Sequence, residues 1–519
     1  MNLNRHLMLA FEGTDIPGWL AGDLADSPPA GITLFRELNM VSADQVAGLT
    51  TSLQGRNPDE APLLIAVDQE GGQLQGLVGS TPFAGNMALG ATYDPELTRR
   101  VAEAMGAELA AVGINLNYAP VADVASRPAN PSLGVRSFGE DPLAVSAHVA
   151  AAVRGYKASG VLCTLKHFPG KGEAVVDPHY ELPRLDLDRD RLDRVELAPF
   201  RAGFAAGADL VMTGHYGVPT LTGNDATPVS MSERAIDGFI RAELGFDEGL
   251  VITDALDMGA LDQGAGQVVD MIASLRGGTD LLLVMPDDDL RERARVAVER
   301  GLSRGLIPAG TLERSRRRID RVRRGLSPPA IDPGLVGYHQ ELAADLARRS
   351  VTLVRNDAGI LPLRLETTDR VLVLEPTPTN VTPADTTALH EPGLASAVGG
   401  LHGEIAGIVY PHEPSTSDIA GLVDRARDHD VVIVGTVNAT TGQAELVNRL
   451  TETGRPLVTI AMREPQDLGS YPHVSTHACT YSSHTPSLEA VADALFGNTE
   501  FAGRLPVSIP GLYPIGHGH

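Results

Sequence analysis

Residues 161–183 read VLCTLKHFPGKGEAVVDPHYELP. The first seven positions are a short apolar run closed by Lys166 and His167. Pro169, Gly170 and Gly172 then interrupt regular structure, and the loop that follows carries Asp177 and His179. An apolar strand that ends in charge is the unit of a parallel sheet buried on both faces, where polar groups gather at the strand ends. The same unit recurs in both directions along the chain. Apolar runs stand at 6–11 (HLMLAF), 31–35 (GITLF), 63–68 (LLIAVD), 114–120 (INLNYAP), 208–214 (ADLVMTG), 250–255 (LVITDA) and 279–285 (TDLLLVM). Between them lie Ala-, Arg- and Glu-rich stretches of helical periodicity, among them 94–112, 142–158, 191–206 and 287–304. Eight strands interleaved with helices predict an α/β fold of the (β/α)8 TIM-barrel type, which takes about 250 residues or more. A doubly wound open sheet rarely uses so many consecutive units.

Polar residues cluster at the C-terminal ends of these strands: Asp68, Lys166, His167, His215 and Asp254. In a barrel those ends form the face that carries chemistry. Any one of them is explained by an ordinary satisfied polar group at a strand end. Five of them on four strands, in phase, are not.

The pattern changes at 326–340, LSPPAIDPGLVGYHQ, where three prolines and two glycines read as a linker. We therefore expect a barrel over 1–325, a linker over 326–345 and a second domain over 346–519. A helix at 340–350 precedes further apolar runs at 351–356, 370–376, 407–411, 431–436 and 456–462, separated by helices such as 417–428. These predict a smaller α/β sandwich domain of five or six parallel strands. The Thr- and Pro-rich stretch 377–395 reads as a long surface loop.

Four segments carry candidate chemistry. In the first, Asp177 lies two residues from His179, close enough to orient the imidazole and raise its basicity, which makes His179 a proton shuttle near neutral pH. The second is VITDALDMGAL, 251–261, with Asp254 at the strand end; an apolar flank and a nearby cation there would keep an ionised nucleophile. Asp257 reads as the start of the next helix. The third is AVDQEGGQLQGL, 66–77, where Asp68 ends a strand and Gly71–Gly72 permit close backbone approach. The fourth is NPSLGVRSFGEDP, 130–142, whose Arg136 offers a fork for a carboxylate or vicinal hydroxyls.

Taken together, KHFPG-x-G-x4-D-x-H, VDQEGG, the RSFG-x-DP loop and the TDAL-x-M box resemble, in order and spacing, the β-N-acetylglucosaminidase branch of glycoside hydrolase family 3. LARRSVTLVRND (346–357), MREPQDL (462–468) and FAGRLPVSIP (501–510) resemble that family's C-terminal domain more weakly. The resemblance implies a retaining enzyme in which Asp254 is the nucleophile, His179 the acid/base and Asp177 its partner. It further implies that Asp68, Arg136, Lys166 and His167 bind the sugar, with no metal and no cofactor. Two other activities stay compatible with the motifs: phosphorolysis on the same fold, and sugar binding without catalysis. A β-glucosidase fits less well, because that branch lacks the Asp-x-His loop.

The chain departs from the family pattern at Lys171, usually a histidine, at Pro178, usually a serine, and at Gln73 and Gly76, where basic residues are common. For Lys171 the simpler expectation is a solvated loop residue; the other is a cation close to His179 that favours an anionic acceptor or aglycone.

Composition narrows the partners. A net charge of −24 opposes nucleic acid and anionic membrane surfaces. No stretch reaches the ~18 apolar residues of a membrane span, and the N-terminal run, broken by Glu12 and Asp15, is too short for a secretory signal. Two cysteines, Cys163 and Cys479, make no disulfide framework and fit a reducing cytoplasm. Aromatics at 4% of residues favour a short sugar over a stacked polysaccharide. Nothing in the sequence speaks to the oligomeric state.

Overall fold

The computed structural model describes residues 3–224, 227–261 and 263–519. Eight strands form the first sheet: β1 (Leu7–Leu9), β2 (Gly31–Thr33), β3 (Leu64–Val67), β4 (Leu116–Asn117), β5 (Leu162–Phe168), β6 (Leu210–Thr213), β7 (Leu250–Thr253) and β8 (Leu282–Val284). Their order is β8-β1-β2-β3-β4-β5-β6-β7, and every pairing is parallel. A parallel bridge between Ile252 and Leu281 closes the ring. The fold is the expected TIM barrel, with seven strands inside the apolar runs read from the sequence and β5 reaching one residue past its run.

Alternation along each strand explains why both faces had to be apolar. Met8, Leu64, Ala66, Leu116, Leu210, Met212, Leu250 and Ile252 fill the barrel interior. Their neighbours Leu7, Leu9, Ile65 and Val67 point outward into the helical layer. Burying one such side chain stabilises by about 1.5–3 kcal/mol, so both strand faces contribute. The helix Ala309–Arg324 caps the N-terminal end of the barrel. Ile319 enters the interior cluster, and Arg323 donates from Nε to the Pro62 carbonyl (2.7 Å) and from Nη2 to the Ala61 carbonyl (2.9 Å). With that end sealed, the open face is the one where the strands finish.

The second sheet has six strands: β9 (Thr352–Asn356), β10 (Val371–Pro376), β11 (Ile405–Tyr410), β12 (Val431–Thr436), β13 (Leu457–Ala461) and β14 (Thr476–Cys479), in the order β9-β14-β13-β12-β10-β11. Two features differ from expectation. β9 runs antiparallel to β14 at one edge, so the sheet is mixed. β14, sequence THAC, carries no apolar run and was not among the expected strands; it is buried because β9 and β13 flank it on both sides.

The stretch 377–395 is only in part the surface loop its composition suggests. Asp385, Thr386 and Thr387 are buried, and the segment reaches across to the barrel. The C-terminal segment likewise returns to the barrel, where Glu140 N–H donates to the Pro506 carbonyl (3.0 Å) and the Glu140 carboxylate accepts from Ser508 N–H and Oγ (both 2.8 Å). Among the described residues no helix is long and apolar enough to cross a membrane.

Candidate active site

Strand ends at the open face supply most of the site. β3 delivers Asp68, β5 delivers Lys166 and His167, and β7 delivers Asp254. The loop after β5 brings Lys171 and His179, and the segment 130–137 brings Arg136. Asp68, Arg136, Lys166, His167, His179 and Asp254 all line one cavity of about 400 Å³. Asp177, the seventh residue expected from sequence, stands behind His179 and is largely buried.

The charges are ordered around Glu70, which the sequence reading did not single out. Arg136 grips it with two parallel bonds, Nε to Oε2 (2.9 Å) and Nη2 to Oε1 (2.8 Å). Lys166 Nζ sits 2.6 Å from Glu70 Oε1 and 2.6 Å from Asp68 Oδ1. Burial pushes Glu70 up, but Arg136 and Lys166 outweigh it and hold the carboxyl well below the usual range. The fork of Arg136 thus faces a protein carboxylate, and what it can offer a ligand is a remaining Nη1 hydrogen. Glu70 was legible only as the neighbour of Asp68 in VDQEGG.

Asp123 is the second residue missed. Its Oδ2 lies 2.8 Å from His167 Nδ1, and its Oδ1 accepts the backbone N–H of His167 (3.2 Å) and Lys171 (2.9 Å). On the other side of the ring, Arg136 Nη2 reaches His167 Nε2 at 3.4 Å. A guanidinium can only donate, so Nε2 accepts and Nδ1 carries the hydrogen. Burial, with Lys171 and Arg136 adding to it, drives the His167 imidazole well below its ordinary value. It is a neutral, fixed ring.

Asp254 sits where β7 ends. Its N–H bonds the Thr213 carbonyl (3.0 Å), and Oδ1 accepts the Ala255 N–H (2.9 Å). Burial works against its charge, yet His167, His215, the Ala255 amide and His179 together lower it below the ordinary carboxylate value. His215 is positioned by Ser230 Oγ (2.7 Å) and the Ala255 carbonyl (3.1 Å).

His179 Nδ1 lies 2.6 Å from Asp177 Oδ1, and the same oxygen accepts the His179 N–H (3.0 Å). The carboxylate takes the Nδ1 hydrogen and leaves Nε2 for the cavity. The loop is clamped from the opposite side of the mouth: Gly259 N–H donates to the His179 carbonyl and Ala260 N–H to the Pro178 carbonyl, both at 3.0 Å. A Cβ on Gly259 would stand 2.7 Å from the Tyr180 oxygen and 2.8 Å from the His179 oxygen. Both are backbone atoms and cannot swing aside, so Gly259→Ala should push the loop outward. A displacement near 1 Å at a reacting group costs up to ~10²-fold. We expect kcat to fall by about that factor while the melting temperature barely changes, as steady-state kinetics beside a thermal melt will show.

The second domain also borders the cavity, through Pro383, Ala384, Asp385 and Thr386. Gln73 docks this segment. Its Nε2 donates to the Ala384 carbonyl (2.8 Å), its Oε1 accepts from Arg463, and its backbone carbonyl accepts Thr386 N–H (2.7 Å). An amide side chain can donate from one atom and accept on another, whereas lysine and arginine only donate, which accounts for glutamine where the family pattern has a basic residue. Gly76 has a steric reason: a Cβ there would lie 2.4 Å from the Asp68 carbonyl oxygen. Arg463 also binds Asp385 (2.6 Å), and both are buried. Removing one partner of a buried pair costs about 3–5 kcal/mol. Asp385→Ala should therefore lower unfolding stability by that order and raise KM more than it lowers kcat, which denaturation and initial-rate measurements will check.

Lys171 departs from the simpler of its two expectations. It is 1% exposed and lines the cavity, so it is not a solvated loop residue.

A closed barrel with its charged residues gathered at one mouth, backed by a mixed six-stranded domain, is the architecture of a class of glycoside hydrolases. Residues 20–322 match the glycosyl hydrolase family 3 N terminal domain, and residues 351–512 match the glycosyl hydrolase family 3 C-terminal domain. The chain belongs to glycosyl hydrolase family 3. Beta-hexosaminidase A of Pseudoalteromonas piscicida is 35% identical over 382 residues, covering 68% of this chain and 63% of that protein, so the chain spans less than two thirds of that relative's length. Beta-hexosaminidase of Stenotrophomonas maltophilia (strain K279a) is 36% identical over 317 residues, 59% of this chain and 92% of its own length. Among solved structures, a glycoside hydrolase family 3 beta-N-acetylglucosaminidase from Paenibacillus sp. str. FPU-7 superposes with a TM-score of 0.91 at 32% identity, covering 98% of each chain.

Proposed function

We propose that the chain is a retaining, exo-acting β-N-acetylglucosaminidase that removes terminal β-linked GlcNAc from small cell-wall or chitin-derived oligosaccharides. The observation that carries this is the pairing of two groups at one small cavity: an Asp254 held ionised, and a His179 backed by Asp177 at 2.6 Å. In the first step Asp254 attacks the anomeric carbon while His179 gives its Nε2 proton to the departing oxygen. In the second, neutral His179 takes a proton from water, which displaces Asp254 and releases the sugar. Asp177 holds the Nδ1 hydrogen throughout. Asp68, with Lys166 beside it, offers acceptors and donors to sugar hydroxyls, while Arg136 and His167 present one donor and a fixed ring edge. The likeness to proteins named beta-hexosaminidase and to a beta-N-acetylglucosaminidase supports GlcNAc as the sugar. Unpaired, buried Cys163 and Cys479 accord with action in a reducing cytoplasm.

The test is the anomer first formed from 4-nitrophenyl β-GlcNAc, read by proton NMR before mutarotation. The β anomer is expected. First release of the α anomer would exclude the double displacement.

A further inference from the structure

Most basic side chains at the cavity already have a carboxylate. Arg136 is committed to Glu70, Lys166 bridges Asp68 and Glu70, His167 leans on Asp123, and His179 on Asp177. Lys171 does not. Among the described residues its Nζ makes no hydrogen bond and no ion pair, although the side chain is buried and borders the cavity. Its backbone is pinned on both sides: the N–H donates to Asp123 Oδ1 (2.9 Å) and the carbonyl accepts from Asn130 Nδ2 (2.7 Å). With the main chain fixed, the ammonium remains at the cavity wall.

A buried ammonium without a counter-charge is costly, and the usual resolution is a partner or loss of the proton. Burial, with Arg136 adding to it, brings Lys171 down to about 8, against the pull of Asp123, Asp254 and Asp177. At neutral pH the group still carries its charge in most molecules. The protein supplies no contact ion for it, and the cavity is the open space it faces.

We infer that Lys171 holds an oxyanion of the reacting system, a carboxylate or phosphate placed beside the scissile bond. The inference rests on the glycosidase function proposed above. The oxyanion has two sources, the leaving group of the glycoside or a free phosphate. In the second case a phosphate oxygen attacks the anomeric carbon of the Asp254 ester. The carbon–Oδ bond breaks, Asp254 returns as carboxylate, the phosphate proton passes to His179, and a sugar 1-phosphate leaves.

The experiment compares the parent with Lys171→Met, which keeps the length of the side chain and drops the charge, and with Lys171→Arg, which keeps the charge. Two aryl β-GlcNAc glycosides matched in size, 4-carboxyphenyl and 4-carbamoylphenyl, form the leaving-group arm. Inorganic phosphate, with 4-nitrophenyl β-GlcNAc as donor and sugar 1-phosphate as readout, forms the acceptor arm. If the oxyanion belongs to the leaving group, the anionic-to-neutral ratio of kcat/KM should drop about ten-fold in Lys171→Met and recover in Lys171→Arg. If it is free, the sugar 1-phosphate fraction should drop by a similar factor and recover likewise. Either preference should fade as pH rises through about 8, where Lys171 loses its proton. Equal losses on both glycosides, with no phosphate product in the parent, would make Lys171 a contact for neutral sugar groups and overturn the inference. Absence of any turnover of the neutral glycoside by the parent would instead defeat the glycosidase function itself.

Discussion

Asp254→Ala should abolish turnover, with kcat reduced on the order of 10⁴–10⁶-fold, the range seen when a member of a covalent catalytic unit is removed. The carboxylate has no substitute in place. Asp68 is tied to Lys166, Glu70 is locked between Arg136 and Lys166, and Asp257, which also lines the cavity, is solvent-exposed and lies past the strand end. The fold should survive, because the side chain accepts one local amide and packs against no core cluster. A 5-fluoro GlcNAc donor, which slows breakdown of the covalent intermediate, should label the peptide containing Asp254. Label on another carboxylate would take the role from it. The ionisation of Asp254 adds a pH expectation. Its folded value lies below the ordinary carboxylate value of 3.8, so the group stays charged down to more acidic pH than a free aspartate. Any acid limb of kcat/KM above that value must come from a different group, and it should persist unshifted when the leaving group is varied.

How much of this was readable beforehand follows from where the information lies. Barrel strands announce themselves because both faces are buried, so Leu64–Val67 is apolar throughout and Leu250–Thr253 is apolar up to its last residue. Strand-end residues such as Asp68 and Asp254 follow from the strands. The domain packing does not. Ala384 and Thr386 meet Gln73 and Gln75 across more than three hundred residues of chain, and a Thr- and Pro-rich stretch carries no periodicity that names a distant partner. β14 escaped for a similar reason: its burial comes from its two neighbours, not from its own hydrophobicity. Glu70 and Asp123 were missed because each acts on another side chain and never sits alone at a strand end. Lys171 is the sharpest case. A loop lysine is normally solvated, and what turns this one inward is a backbone held by Asp123 and Asn130.

His179→Ala should separate substrates by leaving group. With an alkyl or sugar aglycone the departing oxygen needs a proton, and general acid help is worth roughly 10²–10⁴-fold. With 2,4-dinitrophenol it needs almost none, so the first step should stay near the parent rate while the second, which needs a base to activate water, becomes limiting. The expected signature is a burst of dinitrophenol followed by slow turnover. Azide, an anionic nucleophile that needs no base, should then speed the slow phase and yield a glycosyl azide. Asp177→Asn should fall between the parent and His179→Ala, because an amide can still hold the ring but no longer stabilises its protonated form. An equal loss on activated and unactivated glycosides, with no azide effect, would show that His179 positions substrate and does not move the proton. That outcome would also leave the clamp at Gly259 without a kinetic purpose, since what the two 3.0 Å amide bonds from Gly259 and Ala260 hold in place is the backbone on either side of that imidazole.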